Sequence, residues 1–121
     1  MNESTALSLL DAYDAALELE LMVRGIPLQE YLSDRKLHLA AENLLIKTGE
    51  ALSQARKQDA AILDEMSSAY AVVGIRNFVI HDYRMVDEET IWSTAVGEIP
   101  LLRAELAHVL VRMGYEVDVP D

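Results

Sequence analysis

Apolar residues recur along most of this chain at intervals of three and four, the spacing that gathers side chains on one face of an α-helix. From Thr5 to Arg24 the stripe contains Leu7, Leu10, Leu17 and Leu21, broadened by Leu9, Ala16 and Met22 and interrupted by Asp11 and Asp14. Ser4 or Asn2 is the expected cap. Arg24-Gly25-Ile26-Pro27 is the expected stop, because glycine accepts the backbone conformation that closes a helix and proline presets the turn that follows. Residues 28–32 suit a short helical piece. Ser33 or Asp34 then opens a second long helix through about Arg56, with Leu37, Ala40, Ala41, Leu44, Leu45, Thr48, Ala51 and Leu52 at helical spacing. A third helix is predicted from Asp59 to Tyr83 or Arg84, bending near Gly74. Asp87 caps a fourth, whose first turn holds Glu88 and Glu89 where the helix dipole favours acids. That helix reaches Met113 and stops at Gly114, and Pro100 predicts a kink or break near Gly97-Glu98. No strand alternation, internal repeat or glycine-rich phosphate loop interrupts the pattern. The prediction is an all-α fold, an antiparallel bundle of four to five helices joined by short loops.

Composition narrows this picture. A chain of 121 residues supports a single domain over 1–121, ending in an acidic tail from about Tyr115. There is no cysteine, so neither disulfides nor thiolate metal sites are available. Met1 to Thr5 lacks the basic start and apolar run of a secretion signal, and no apolar stretch approaches the ~20 residues that span a bilayer. A cytoplasmic protein with no membrane partner is expected. Charge complicates any contact with nucleic acid: 21 acidic residues against 10 basic ones give a formal net charge of −11. Phosphate contacts normally supply most non-specific affinity, so binding of RNA would depend on a local cluster of cations against a repelling background.

One segment stands apart chemically. From Val72 to Arg84 the apolar residues surround the helix instead of forming one stripe, the mark of a helix buried in a core or at an interface. The same segment carries Arg76, Asn77, His81, Asp82 and Tyr83, groups that are costly to bury unless paired or facing a shared cleft. At roughly 100° per residue Arg76 and Tyr83 lie about 20° apart on one face, whereas His81 lies roughly 140° from Arg76. A two-fold dimer would set two copies of the helix side by side and bring a second His81 opposite. The residue types suit cleavage of a phosphodiester without a metal. RNA supplies its own nucleophile in the 2′-hydroxyl, histidine transfers protons near neutral pH, and arginine holds phosphate oxygens as charge builds. The plainer readings are that Arg76 and Asp82 form a structural ion pair, that Asn77 braces a helix contact, and that Tyr83 simply ends the helix.

The remaining polar residues carry weaker signals. Glu105-Leu106-Ala107-His108 is half of a di-iron carboxylate motif, but a second half is missing and no metal site is expected. His108, Arg103 and Arg112 read as solvated surface or the rim of an RNA path. His38 and Glu42, four apart, read as a surface pair. Asp11, Asp14, Glu18 and Glu20 read as a solvated face or an acidic surface for a basic partner. Trp92 and Ile91 are expected in the core or an interface.

Arg76-Asn77-Phe78-Val79-Ile80-His81-Asp82-Tyr83 resembles the R-X4-H-X-Y motif of the HepT-like HEPN ribonucleases. Similarity extends over roughly residues 5 to 113, through Asp34-Arg35-Lys36, Thr48-Gly49-Glu50-Ala51, Val86-Asp87 with Ile91-Trp92, and Ile99-Pro100-Leu101. Ser68-Ala69-Tyr70-Ala71 departs from the family in lacking its Pro-Trp pair. The resemblance implies a HEPN-like helical bundle and a homodimer with the motif at or near a shared cleft. It further implies metal-independent cleavage of RNA, with Arg76 and His81 catalytic and Asn77, Asp82 and Tyr83 in support or substrate binding. No cofactor is implied. A toxin–antitoxin role is, with an MntA-type nucleotidyltransferase antitoxin that transfers AMP to Tyr83. Glu50, within the Gly-Glu-Ala pattern, is a candidate contact of the motif or a packing residue. The alternative is a non-catalytic HEPN subunit that binds nucleotide or scaffolds a minimal nucleotidyltransferase.

Overall fold

The computed structural model describes residues 3–117, the side chain of Tyr83 excepted. Its α-helices are α1 (Glu3–Val23), α2 (Leu28–Leu32), α3 (Arg35–Gln58), α4 (Ala69–His81), α5 (Glu88–Ser93) and α6 (Ile99–Arg112), and no strand occurs among the described residues. Gly25 closes α1 with a φ of 77°, a backbone region open to glycine because it lacks a Cβ. Whether Asn2 contributes a cap lies outside the described residues. Of the two candidate caps for α3 it is Asp34 that serves, its carboxylate accepting the Leu37 N–H at 3.1 Å.

Two long-range contacts set the directions of the rods. Ser8, near the start of α1, donates to Gln58 at the end of α3 over 3.2 Å, so these helices run antiparallel. Arg103, early in α6, donates from Nε and Nη2 to Glu20, late in α1, at 2.7 and 2.8 Å, so α6 also runs back along α1. On the other side of α3 lies α4. Leu9 and Leu19 of α1, Leu45 and Leu52 of α3, and Leu102 and Leu106 of α6 are fully buried between them. Each such side chain contributes about 1.5–3 kcal/mol by leaving water. The antiparallel helical bundle read from the periodicity is therefore present.

The third helix differs from the one predicted. Asp59 ends α3 instead of starting a helix, its N–H returning to the Ala55 carbonyl at 2.9 Å. A 3₁₀ turn over Ile62–Glu65 then buries Ile62 and Leu63 before α4 begins at Ala69. The start is fixed from α6: the Glu105 carboxylate accepts the backbone N–H groups of Ser67 and Ser68 at 2.8 and 3.2 Å and their hydroxyls at 2.8 and 2.5 Å. A helix N-terminus leaves such N–H groups without intrahelical partners, and here a distant side chain takes them. Through Gly74 α4 runs as one uninterrupted helix, and it ends at His81, with Tyr83–Met85 forming a separate 3₁₀ turn.

At the fourth helix Pro100 produces a widening, not a break. The chain passes from α5 into a π-helical turn over Thr94–Glu98 and then into α6, with right-handed helical backbone at both junctions. Proline lacks an N–H and its ring crowds the carbonyl four residues back, and a π turn absorbs both effects while the helix continues. Gly114, with φ 94°, terminates α6. Among the described residues no helix is long and apolar enough to cross a membrane.

Candidate active site

One flank of α4 is core: Ala69, Val72, Val73 and Val79 are buried. Ile75 and Arg76 are partly covered, and Phe78 and Ile80 are exposed despite being apolar. The helix is thus apolar on both a covered and an uncovered face, which accounts for the missing single stripe.

Arg76 sits where α4 crosses α3. A Cβ added to Gly49 would lie 2.5 Å from the Arg76 Cβ and 2.6 Å from its Cγ, so only a glycine lets the arginine stem lie this close to α3. The adjacent residue, Glu50, then meets the guanidinium: Arg76 Nη2 donates to a Glu50 carboxylate oxygen in an ion pair. On the other side Arg76 Nη1 donates to the Asn77 Oδ1 at 2.7 Å. Nε is buried and has no hydrogen-bond partner among the described residues. The arginine side chain is 18% exposed and that of Glu50 47%, which places the pair at the rim of the fold and not inside it.

His81 is the last residue of α4 and is exposed. Since the helix is regular from Arg76 to His81, the two side chains leave it roughly 140° apart and are not brought together within one chain. Asp82 caps the helix end, its N–H returning to the Phe78 carbonyl at 2.8 Å, and its side chain is exposed. Arg76 pairs with Glu50 and not with Asp82, so the plain ion-pair reading of those two residues is set aside. The backbone of Tyr83 opens the 3₁₀ turn after the helix, and its side chain lies outside the described part of the structure.

The family model for Ribonuclease HepT-like proteins matches residues 12–109, from within α1 to near the end of α6, and spans all of α4. The chain belongs to that family. No curated protein and no solved structure matches it. Membership of the HepT-like family agrees with the HEPN-like all-α bundle and supports ribonuclease activity as the general class of chemistry.

Several other polar residues of this HepT-like chain stand differently from their sequence reading. His38 is buried and bonds the Tyr31 carbonyl through Nε2 at 2.7 Å, so it is no surface partner of Glu42. Tyr31, fully buried, stacks near His38 with ring centroids 4.9 Å apart and donates its hydroxyl to Glu88 at 2.9 Å. Burial first, then the hydrogen bond and charge of Glu88, push Glu42 up to about 7, with Arg35 opposing. Glu20 is also buried instead of solvated; the Arg103 hydrogen bonds hold its carboxyl below the usual range, against the opposing effect of burial. Arg103 therefore serves the core edge, and Arg112 pairs with Glu65, while His108 is exposed. Burial alone would raise Glu105, but the Ser68 and Ser67 bonds prevail and hold it low. The contacts of Tyr31 with Glu88, Glu20 with Arg103, Glu65 with Arg112 and Glu105 with Ser67 and Ser68 have no signal in local sequence, because each joins residues far apart in the chain.

Proposed function

We propose that this protein is a metal-independent endoribonuclease toxin of a type VII HEPN/MNT toxin–antitoxin pair, acting as a homodimer. The observation that carries the reading is the arrangement on α4: Arg76 is held at the rim by Glu50 and Asn77, and His81 is exposed at the end of the same helix. Family membership supports the same class of chemistry.

The chemistry follows from the groups. The 2′-oxygen of RNA attacks the adjacent phosphorus, its proton passing to a base, while the 5′-oxygen leaves and takes a proton from an acid. The products are a 2′,3′-cyclic phosphate and a free 5′-hydroxyl. Two proton transfers suit two histidines, and each chain brings one in the motif. A two-fold pairing of α4 with its copy would set Arg76 of one chain beside His81 of the partner subunit, which the 140° separation within one helix prevents. Arg76 would take the non-bridging phosphate oxygens, whose charge rises in the transition state. Exposed Phe78 and Met85, with a groove of about 300 Å³ lined by Gly74, Ile75, Val79 and Val86 among others, supply apolar surface for such a contact.

In this reading Tyr83 receives AMP from an MntA-type nucleotidyltransferase antitoxin. A bulky anionic adduct two residues beyond His81 would occupy the phosphate path and repel RNA. Asn77 and Asp82 serve as support, Asn77 through its bond to Arg76. The acidic balance, −11 overall, favours a second reading as a non-catalytic scaffold or nucleotide-binding subunit.

The deciding experiment is cleavage of RNA in EDTA by protein whose intact mass excludes an adduct, comparing wild type with His81→Ala. Cleavage by wild type and its loss in the variant are expected. Equal cleavage by both would remove His81 from the reaction, and none by either would favour the scaffold.

A further inference from the structure

Glu50 is only half-buried, its side chain 47% exposed, yet it holds the motif cation of α4, Arg76. Its pair with Arg76 lies at the rim, where ion pairs contribute little to stability. The local architecture nevertheless builds toward this one contact. Gly49 removes the side chain that would displace the Arg76 stem, Glu50 takes Nη2, and Asn77 takes Nη1 at 2.7 Å. A guanidinium has five N–H donors; these two acceptors fix its plane, Nε is covered by the protein, and the second hydrogens of Nη1 and Nη2 are left for a further anion.

We infer that Glu50 is a positioning residue for Arg76, one that fixes the guanidinium in the orientation from which it receives phosphate oxygens; this role rests on the ribonuclease reading above. Glu50 does not touch the reacting atoms. Its carboxylate acts through Arg76, and it has a second, opposite effect: a negative charge beside a phosphate site repels the substrate. The two effects separate in the kinetics. Orientation matters most when charge builds on phosphorus, so it is felt in kcat, whereas repulsion is felt by the bound ground state and so in KM.

The test is cleavage of a short oligoribonucleotide in EDTA by wild type, Glu50→Gln and Glu50→Asp, with thermal melting of each protein. Glu50→Gln keeps the shape and loses the charge. The expected result is a kcat roughly 10- to 100-fold lower, the scale on which small misplacements of a catalytic group are felt, with KM unchanged or smaller. Glu50→Asp keeps the charge on a shorter stem and recovers part of kcat. Wild-type kinetics in Glu50→Gln would overturn the role. So would a raised KM together with a lower melting temperature, which marks a merely structural contact. Absence of cleavage by wild type would overturn the ribonuclease reading and this role with it, and is distinguished from the other outcomes by the wild-type lane alone.

Discussion

A histidine and a glutamate four apart on a helix are ordinarily a solvated pair, and nothing local in the sequence distinguishes His38 and Glu42 from that case. What changes them is Tyr31 from α2 and Glu88 from α5, which arrive from either side in sequence and enclose the carboxyl. The result has a measurable sign. Glu42 moves from its usual 4.5 to about 7 in the folded protein, so between those values the folded state holds more proton than the unfolded one. Its favourable contribution is complete below 4.5 and is lost as pH rises through about 7. Glu20 and Glu105, held low, work in the opposite sense: their contribution is present above 4.5 and lost as pH falls. Since both remain in a Glu42→Gln variant, the comparison isolates one group. Urea midpoints of wild type should fall relative to Glu42→Gln between pH 5 and pH 8, and parallel profiles would rule Glu42 out as their cause. The motif side chains show the reverse case of legibility. Arg76, Asn77, His81, Asp82 and Tyr83 stand in a run of eight residues and are visible without a fold, while the partner of Arg76, at Glu50, becomes certain only once α3 and α4 cross.

At the scale of elements, the long helices were legible because their apolar spacing is long and regular, and Asp34, Gly25, Asp87 and Gly114 mark their ends through local chemistry. Asp87 accepts the Glu89 N–H at 3.1 Å and the Thr90 hydroxyl at 3.0 Å, as its position before two glutamates predicts. The start of α4 was not legible, because the groups that satisfy it come from α6. Substituting Glu105→Ala leaves those N–H groups and two hydroxyls without their acceptor. A loss of about 1–2 kcal/mol is expected from the cap alone, read as a lower urea midpoint with an unchanged slope. An unchanged midpoint would mean that water replaces the carboxylate without penalty. Pro100 is legible as a disturbance but not as its kind, since the same residue permits a kink, a break or a π turn; the π turn is the one that accompanies full burial of Ile99 and Leu102 in the core.

For the whole molecule the tension lies between an acidic surface and an apolar patch. Met85 is 70% exposed and lines one groove with the exposed Phe78 of α4, and apolar surface concentrated in this way marks an interaction site. The proposed dimer predicts a double-chain mass by light scattering at micromolar concentration, and Phe78→Asp with Met85→Asp should return the protein to single chains that remain helical. A persistent dimer in that variant would place the contact on another face. Trp92 is the sole tryptophan of the chain, and its indole Nε1 donates to the Ile26 carbonyl at 2.9 Å, tying α5 to the connection after α1. Because α5 follows directly from the turn that begins at Tyr83, the protein carries an unlabelled optical gauge of that junction, whose emission colour reports when the indole loses its bond and meets water.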